Sequence, residues 1–188
     1  MADFAAARLN MVESQVRIAD VTDVRIHDAM REIAREQFVP PTRQHLAYTD
    51  IEVEYATGSW LLKPRDVAKL IHALRPMPGE RALALGAPYA AAVLDHMGAI
   101  VAAGQTDPAS APPGEFDIIV CEGSVSHAPE AWLNALAIGG RLGVVERDGP
   151  VGKACLYVRA EDGIGRRELF DSFAPVLAGF EAQHGFAL

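Results

Sequence analysis

The stretch "RALALGAPYAAAVL", residues 81–94, decides the fold. "RALAL" is an apolar run of strand length, "GAP" is a tight turn, and "YAAAVL" opens an alanine-rich helix. That succession is the strand–turn–helix of a nucleotide-binding βα unit, in which the turn backbone approaches a ligand closely. Here the turn keeps a single glycine, Gly86. Pro88 fixes its own φ, has no N–H to donate, and restricts Ala87 before it.

Outward from this unit the pattern stays that of an α/β domain. On the N-terminal side, "PRDVAKLIHAL" (64–74) reads as a helix with Pro64 in its first turn. On the C-terminal side come a weak strand "AIVAAG" (99–104), a loop "QTDPASAPPGE" (105–115) and a clear strand "FDIIVCE" (116–122). A helix "PEAWLNALAIGG" (129–140) ended by glycine and a strand "RLGVVER" (141–147) follow. "KACLYVRAE" and "RRELFDSFAPVLAGFE" predict two further strands with an irregular joint. Alternating strands and helices imply a mainly parallel sheet with helices on both faces, and the continuous apolar runs suit strands covered on both sides.

Ahead of this core, residues 3–17 and 22–37 predict two amphipathic helices, with Val24, Ile26, Met30, Ile33 and Ala34 on one apolar face and "FVPP" as the stop. "AYTDIEVEYATG" (47–58) alternates, placing Asp50, Glu52 and Glu54 on one side of an extended segment. Three aligned carboxylates invite a functional reading, but a solvated strand face is the expectation in so acidic a chain. We expect one domain over residues 1–188, with N-terminal helices and a substrate-side segment in 1–62 and the α/β core in 63–188. No internal repeat or low-complexity tract is present.

With 188 residues, half of them hydrophobic, the chain buries a substantial core. A formal charge of −8 with singly scattered basic residues argues against nucleic acid or an anionic membrane as partner. Cys121 and Cys155 each sit in an apolar run without zinc-like spacing, as buried free thiols of a reducing compartment would. The N-terminus, interrupted by Asp3, Arg8 and Glu13, has neither a signal-peptide core nor a membrane span, so a cytoplasmic location is expected.

Several segments in order carry a family likeness. "MVESQVR", "DVRIHDAMREIAREQFVPPTRQHLAYTD", "LLKP" and "FDIIVCEG…PEAWLNALAIGGRLGVV" resemble, with compatible spacing, the pattern of protein-L-isoaspartate O-methyltransferases. The likeness covers nearly the whole chain. It implies a Rossmann-like S-adenosylmethionine (SAM) methyltransferase fold with an N-terminal helical extension. It also implies SAM-dependent methylation of isoaspartyl carboxyls in damaged proteins.

Set on the family's motifs, the residues that carry the chemistry differ. In the cofactor turn Ala84 stands where the family has an acid, Gly86 is kept, and Ala87 and Pro88 replace four turn residues. At the end of the second strand the ribose-binding acid becomes Gly104, with Asp107 three residues on as a substitute or a turn former. Residues 105–115 are too few for a helical crossover, so a third strand is expected to be missing. Should SAM bind, Gly86, Ala87, Tyr89, Asp107 and Glu122 are the expected contacts. The family's catalytic loop corresponds to Gly58, Ser59, Trp60, Leu61, Leu62 and Lys63, and of these only Gly58 is shared. Lys63 reads as a solvated charge at a helix start.

In "CEGSVSHAPE" (121–130), Ser126 or His127 is expected to cap the next helix rather than act as nucleophile or base. Trp132 is expected in the core. The leading expectation is a family member that does not bind SAM and serves as a binding or assembly module, with a protein or peptide partner or with itself. Two alternatives stand beside it: a retained isoaspartyl methyltransferase, and a pocket adapted to another small ligand through Glu122, His127 and Lys63.

Overall fold

A computed structural model describes residues 3–102, 109 and 114–182. The N-terminal region is helical: α1 (Phe4–Met11) runs through a π turn at 12–16 and a short 3-10 turn at 17–19 before α2 (Val24–Glu32). Asp3 and Asp23 cap the two helices with their carboxylates, accepting the amides of Ala6 and Arg25. The second helix is shorter than its pattern implied, because Ile33 turns extended and a 3-10 turn covers 35–38. Ile26 and Met30 are buried as expected, but Val24 is 64% exposed, since it stands at the first helical position beyond the packed face.

The alternating segment 47–58 is extended only from Val53. A hairpin of β1 (Val53–Ala56) and β2 (Ser59–Leu61) forms there, and Ile51 faces solvent. The three carboxylates do not form a free face. Asp50 faces Arg65 at 3.5 Å, Glu52 faces Lys63 at 3.8 Å, and Glu54 pairs with Arg43 at 2.6 Å.

Among the described residues the main sheet has six strands in the order β4-β3-β5-β6-β7-β8. They are β3 (Arg81–Leu85), β4 (Ile100–Val101), β5 (Phe116–Val125), β6 (Leu136–Glu146), β7 (Gly152–Ala160) and β8 (Gly163–Ser172). The first four named pair in parallel, and β7 and β8 add an antiparallel hairpin. Helix α3 is Pro64–Leu74 and α4 is Pro88–His96. Among the described residues β4 is one edge of the sheet. The expected loss of a third strand, together with Gly104 and Asp107, falls outside the described residues.

Successive strand residues alternate between two cores. Ala82, Ala84, Ile118 and Val120 face α3, α4 and the N-terminal helices, while Leu83, Leu85, Ile119 and Cys121 face Trp132 and Leu177. Burial on both faces is why these runs read as continuously apolar.

Two expectations are corrected here. The helix expected over 129–140 is the single turn α5 (Glu130–Asn134), after which Leu136 already pairs with Phe116. The Phe116 amide donates to the Ala135 carbonyl, and a Cβ on Gly140 would lie 2.6 Å from the Phe116 carbonyl. Sheet pairing therefore claims residues whose own pattern is helical. The joint between the last two strands is a tight turn, with Ala160 opposite Gly163 across Glu161 and Asp162.

Candidate functional site at the carboxyl edge of the sheet

Parallel α/β sheets place ligands beyond the carboxyl ends of their strands. Here that edge gathers the turn after β3, the second half of β5 and the segment from β2 into α3. Gly86 adopts φ 53°, a left-handed conformation open to glycine, and its carbonyl accepts the Tyr55 hydroxyl at 3.1 Å. Ala87 follows and Pro88 takes the first helical position, where its missing N–H costs no helical hydrogen bond.

Glu122 is the centre of the edge. Its side chain is fully buried, and β5's alternation sends it to the same face as Ile118 and Val120. One carboxylate oxygen accepts the Ala90 amide in the first turn of α4, and the other accepts the Leu62 amide, each at 3.3 Å. Burial pushes its pKa up to about 7, against the opposing pull of the Arg35 guanidinium and of the Ala90, Leu62 and Tyr89 amides.

Arg35 is equally buried. Its guanidinium donates to the carbonyls of Ala47 and Leu62 and lies 4.6 Å from the centre of the Tyr89 ring. Phe38 packs its edge on the same tyrosine, with ring centres 5.6 Å apart. Tyr89 is thus a core residue: its ring is enclosed, its hydroxyl is buried without a partner, and burial raises its pKa.

The residues matching the family's catalytic loop lie in the β1–β2 hairpin and its exit into α3. Gly58 closes the β1–β2 turn at φ 71° and donates its amide to Glu54 at 3.0 Å. Ser59, Trp60 and Leu61 form β2, and Leu61 and Leu62 are fully buried. Lys63 is not the solvated charge expected: its side chain is 14% exposed, pairs with Glu52, and sits 5.6 Å from the Phe173 ring. Of the expected contacts, the fold brings together Gly86, Ala87, Tyr89 and Glu122.

The expected cap of α5 is corrected, since Pro129 holds the cap position without a side-chain hydrogen bond. Ser126 is tied by its amide to the Phe180 carbonyl, and His127 is exposed with its ring against the Ser126 carbonyl. Glu122, His127 and Lys63 are each engaged separately. Cys121 and Cys155 are buried free thiols and Trp132 is core, as expected. Arg35 is the site residue that sequence reading missed. Its only signal was a charged residue within an apolar helical pattern.

Among the described residues no group of three or more His, Cys, Asp or Glu side chains is placed to hold a metal ion, and no helix is long and apolar enough to cross a membrane.

A family model described as protein-L-isoaspartate(D-aspartate) O-methyltransferase matches residues 7–103. The protein-L-isoaspartate O-methyltransferase of Methylorubrum populi is 35% identical over 209 aligned residues, covering 94% of this chain and 98% of that one. Its counterpart from Methylorubrum extorquens is 34% identical, covering 94% and 91%. A solved protein-L-isoaspartate O-methyltransferase superposes with TM-score 0.72 at 19% identity, over 93% of this chain and 67% of that one. A Plasmodium falciparum structure of the same description, in complex with S-adenosyl-L-homocysteine, gives TM-score 0.72 at 17% identity, over 90% and 97%. The two structural likenesses establish the methyltransferase fold.

Proposed function

Because the chain belongs to the protein-L-isoaspartate O-methyltransferase family, we propose that it keeps the family's fold, closes the cofactor edge with its own side chains, and acts as a non-catalytic binding or assembly module. The observation that carries this reading is the Glu122 carboxylate on the Ala90 amide. The first-turn amides of a helix are where a ligand's anionic group finds its donors. In this chain a buried side chain of the protein holds that position.

The residues present do not fit the amino-acid end of SAM. Pro88 offers no N–H, the Gly86 carbonyl is taken by Tyr55, and Tyr89 is enclosed between Arg35 and Phe38. Where the family's loop has a threonine and a serine, this chain has Trp60 and Leu62, and Leu62 is fully buried in the core. Orienting a carboxylate for methyl transfer requires donors fixed beside it. The alignment to the Methylorubrum populi protein, 209 residues long, exceeds the chain's 188, so that relative carries segments this chain lacks.

Titration calorimetry with SAM and with S-adenosylhomocysteine tests the reading. No saturable heat is expected, and micromolar binding of either would overturn it. Identity of 35% over 94% of the chain favours retained activity as the second reading. Transfer of labelled methyl to an isoaspartyl peptide would establish that one instead.

A further inference from the structure

We propose that the cleft between α3 and β8, on the α3 face of the sheet and away from the cofactor edge, binds a phosphorylated small ligand. The cleft has a volume of about 350 Å³ and is lined by Lys69, His72, Arg75 and Arg167, with Asp20 and Glu168 at its wall. That volume falls within the usual range for small-molecule sites, roughly 300–1,000 Å³.

The distribution of unsatisfied charge carries the inference. Nearly every lysine or arginine of this acidic chain has a carboxylate or a carbonyl to bind. Among the described residues Lys69, Arg75, Arg81 and Arg167 neither donate a side-chain hydrogen bond nor lie within 4 Å of a carboxylate. Three of these four line one cleft. Arg81, the fourth, is elsewhere and stacks over Phe116. Converging cations repel one another and are held together only at a cost unless an anion neutralises them.

Local structure fixes their positions. Lys69, His72 and Arg75 recur at three-residue spacing along α3 and its cap, so they share one helical face. Arg75 is held at φ 49°, a left-handed conformation uncommon for a residue with a side chain. The Arg141 guanidinium fastens it there, donating to the Leu74 carbonyl at 2.9 Å and the Arg75 carbonyl at 3.1 Å while paired with Glu80. Lys69 lies 4.2 Å from the Phe170 ring centre, and Nδ1 of His72 is buried without a partner.

Two guanidinium forks and an ammonium supply more charge than one carboxylate requires, and planar forks match phosphoryl oxygens in pairs. Of the two acids at the wall, Glu168 is engaged by Arg166 at 3.3 Å. Among the described residues Asp20, at φ 60°, has no cation within 4 Å, so it leaves the three cations of the cleft unpaired.

Calorimetry on the full chain with pyrophosphate, inorganic phosphate, a nucleoside monophosphate and citrate tests the proposal. Saturable binding of pyrophosphate or the nucleotide at one site is expected, weakened about tenfold by Lys69→Ala and by Arg167→Ala. The control Arg17→Ala, an exposed cation on the N-terminal helices, should leave it unchanged. Both test positions are partly or fully exposed, so folded variants are expected, and circular dichroism checks this. No saturable binding up to millimolar phosphate compounds, equal affinity in the variants, or citrate bound as tightly as pyrophosphate would each overturn the assignment.

Discussion

The carboxylate of Glu122 accepts the backbone amide of Leu62, sixty residues earlier in the chain, at 3.3 Å. Because its other oxygen takes the Ala90 amide, one buried group joins β5, the start of α4 and the segment leading into α3. The Arg35 guanidinium closes the arrangement from the far side through the Leu62 carbonyl and the Tyr89 ring. The carboxyl edge of the sheet is therefore tied by a polar knot inside an apolar core.

Stability should carry the signature of this knot in its pH dependence. Burial raises Glu122 from 4.5 to about 7 in the folded protein, so the folded state binds the proton more tightly than the unfolded chain does. The stabilisation is fully present below about pH 4.5 and is lost as pH rises through about 7, for a total on the order of 3 kcal/mol. Asp66, also buried, shifts in the same direction, so the comparison with Glu122→Gln isolates the effect. Denaturant titrations between pH 5 and 8 should show wild type losing more stability than the variant. Parallel profiles would mean that Glu122 does not titrate in this range.

Removing Arg35 should be among the costliest single changes in the N-terminal half. Arg35→Met keeps the stem but leaves the Ala47 and Leu62 carbonyls without their donor and Tyr89 without its cation. A loss of about 3 kcal/mol is expected in urea unfolding. Arg35→Lys should recover only part of it, since an ammonium cannot reach both carbonyls with a fixed fork. The same substitution to methionine should raise the Glu122 pKa further, because Arg35 is the strongest influence lowering it. An Arg35→Met protein as stable as wild type would show that the guanidinium contributes nothing net.

How much of this was legible in the sequence depends on the range of the forces involved. The βα unit at 81–94 was readable because a strand buried on both faces and an amphipathic helix each write a local period. "LAIGG" misled for the same reason: its pattern is helical, and only the partner strand, twenty residues away, draws it into the sheet. At the site, the turn with a single glycine was visible directly. Glu122 was seen as a residue near the edge, but not as the group that joins its segments, because its partners Leu62, Ala90 and Arg35 are scattered across the chain. No spacing rule joins a carboxylate to amides 60 and 32 residues before it. The cleft beside α3 was invisible too, since its cations come from two elements that meet only in the fold.

The two thiols should be silent in the native protein. Cys121 and Cys155 are fully buried, and burial pushes the thiol of Cys155 up to about 12 and that of Cys121 higher than usual as well. Only the thiolate attacks an aromatic disulfide reagent, so neither cysteine should react at neutral pH while the fold persists. Both should react on addition of denaturant, and the rate in its absence then reports opening of the sheet. A fast-reacting cysteine in native buffer would contradict the placement of β5 or β7.

Gly123 and Leu177 should prove energetically coupled. Gly123 sits at φ 105°, where a side chain is strained, and a Cβ there would lie 2.5 Å from Cδ2 of Leu177. Leu177 is held in that position from both sides: its amide donates to the Ser124 carbonyl at 2.8 Å, and the Ser124 amide donates to Pro175 at 2.9 Å. The chain after β8 thus returns as a parallel bridge beside the end of β5. Gly123→Ala alone combines backbone strain with overlap and should cost about 2–4 kcal/mol. Leu177→Ala alone leaves a cavity under Trp132 and Phe180 and should cost about 2–4 kcal/mol. In the double variant the new methyl enters the space the leucine vacates, so the combined loss should fall short of the sum by about 1 kcal/mol or more. Backbone strain remains in both backgrounds, so full recovery is not expected. Strict additivity in a double-mutant cycle would place the C-terminal segment away from Gly123.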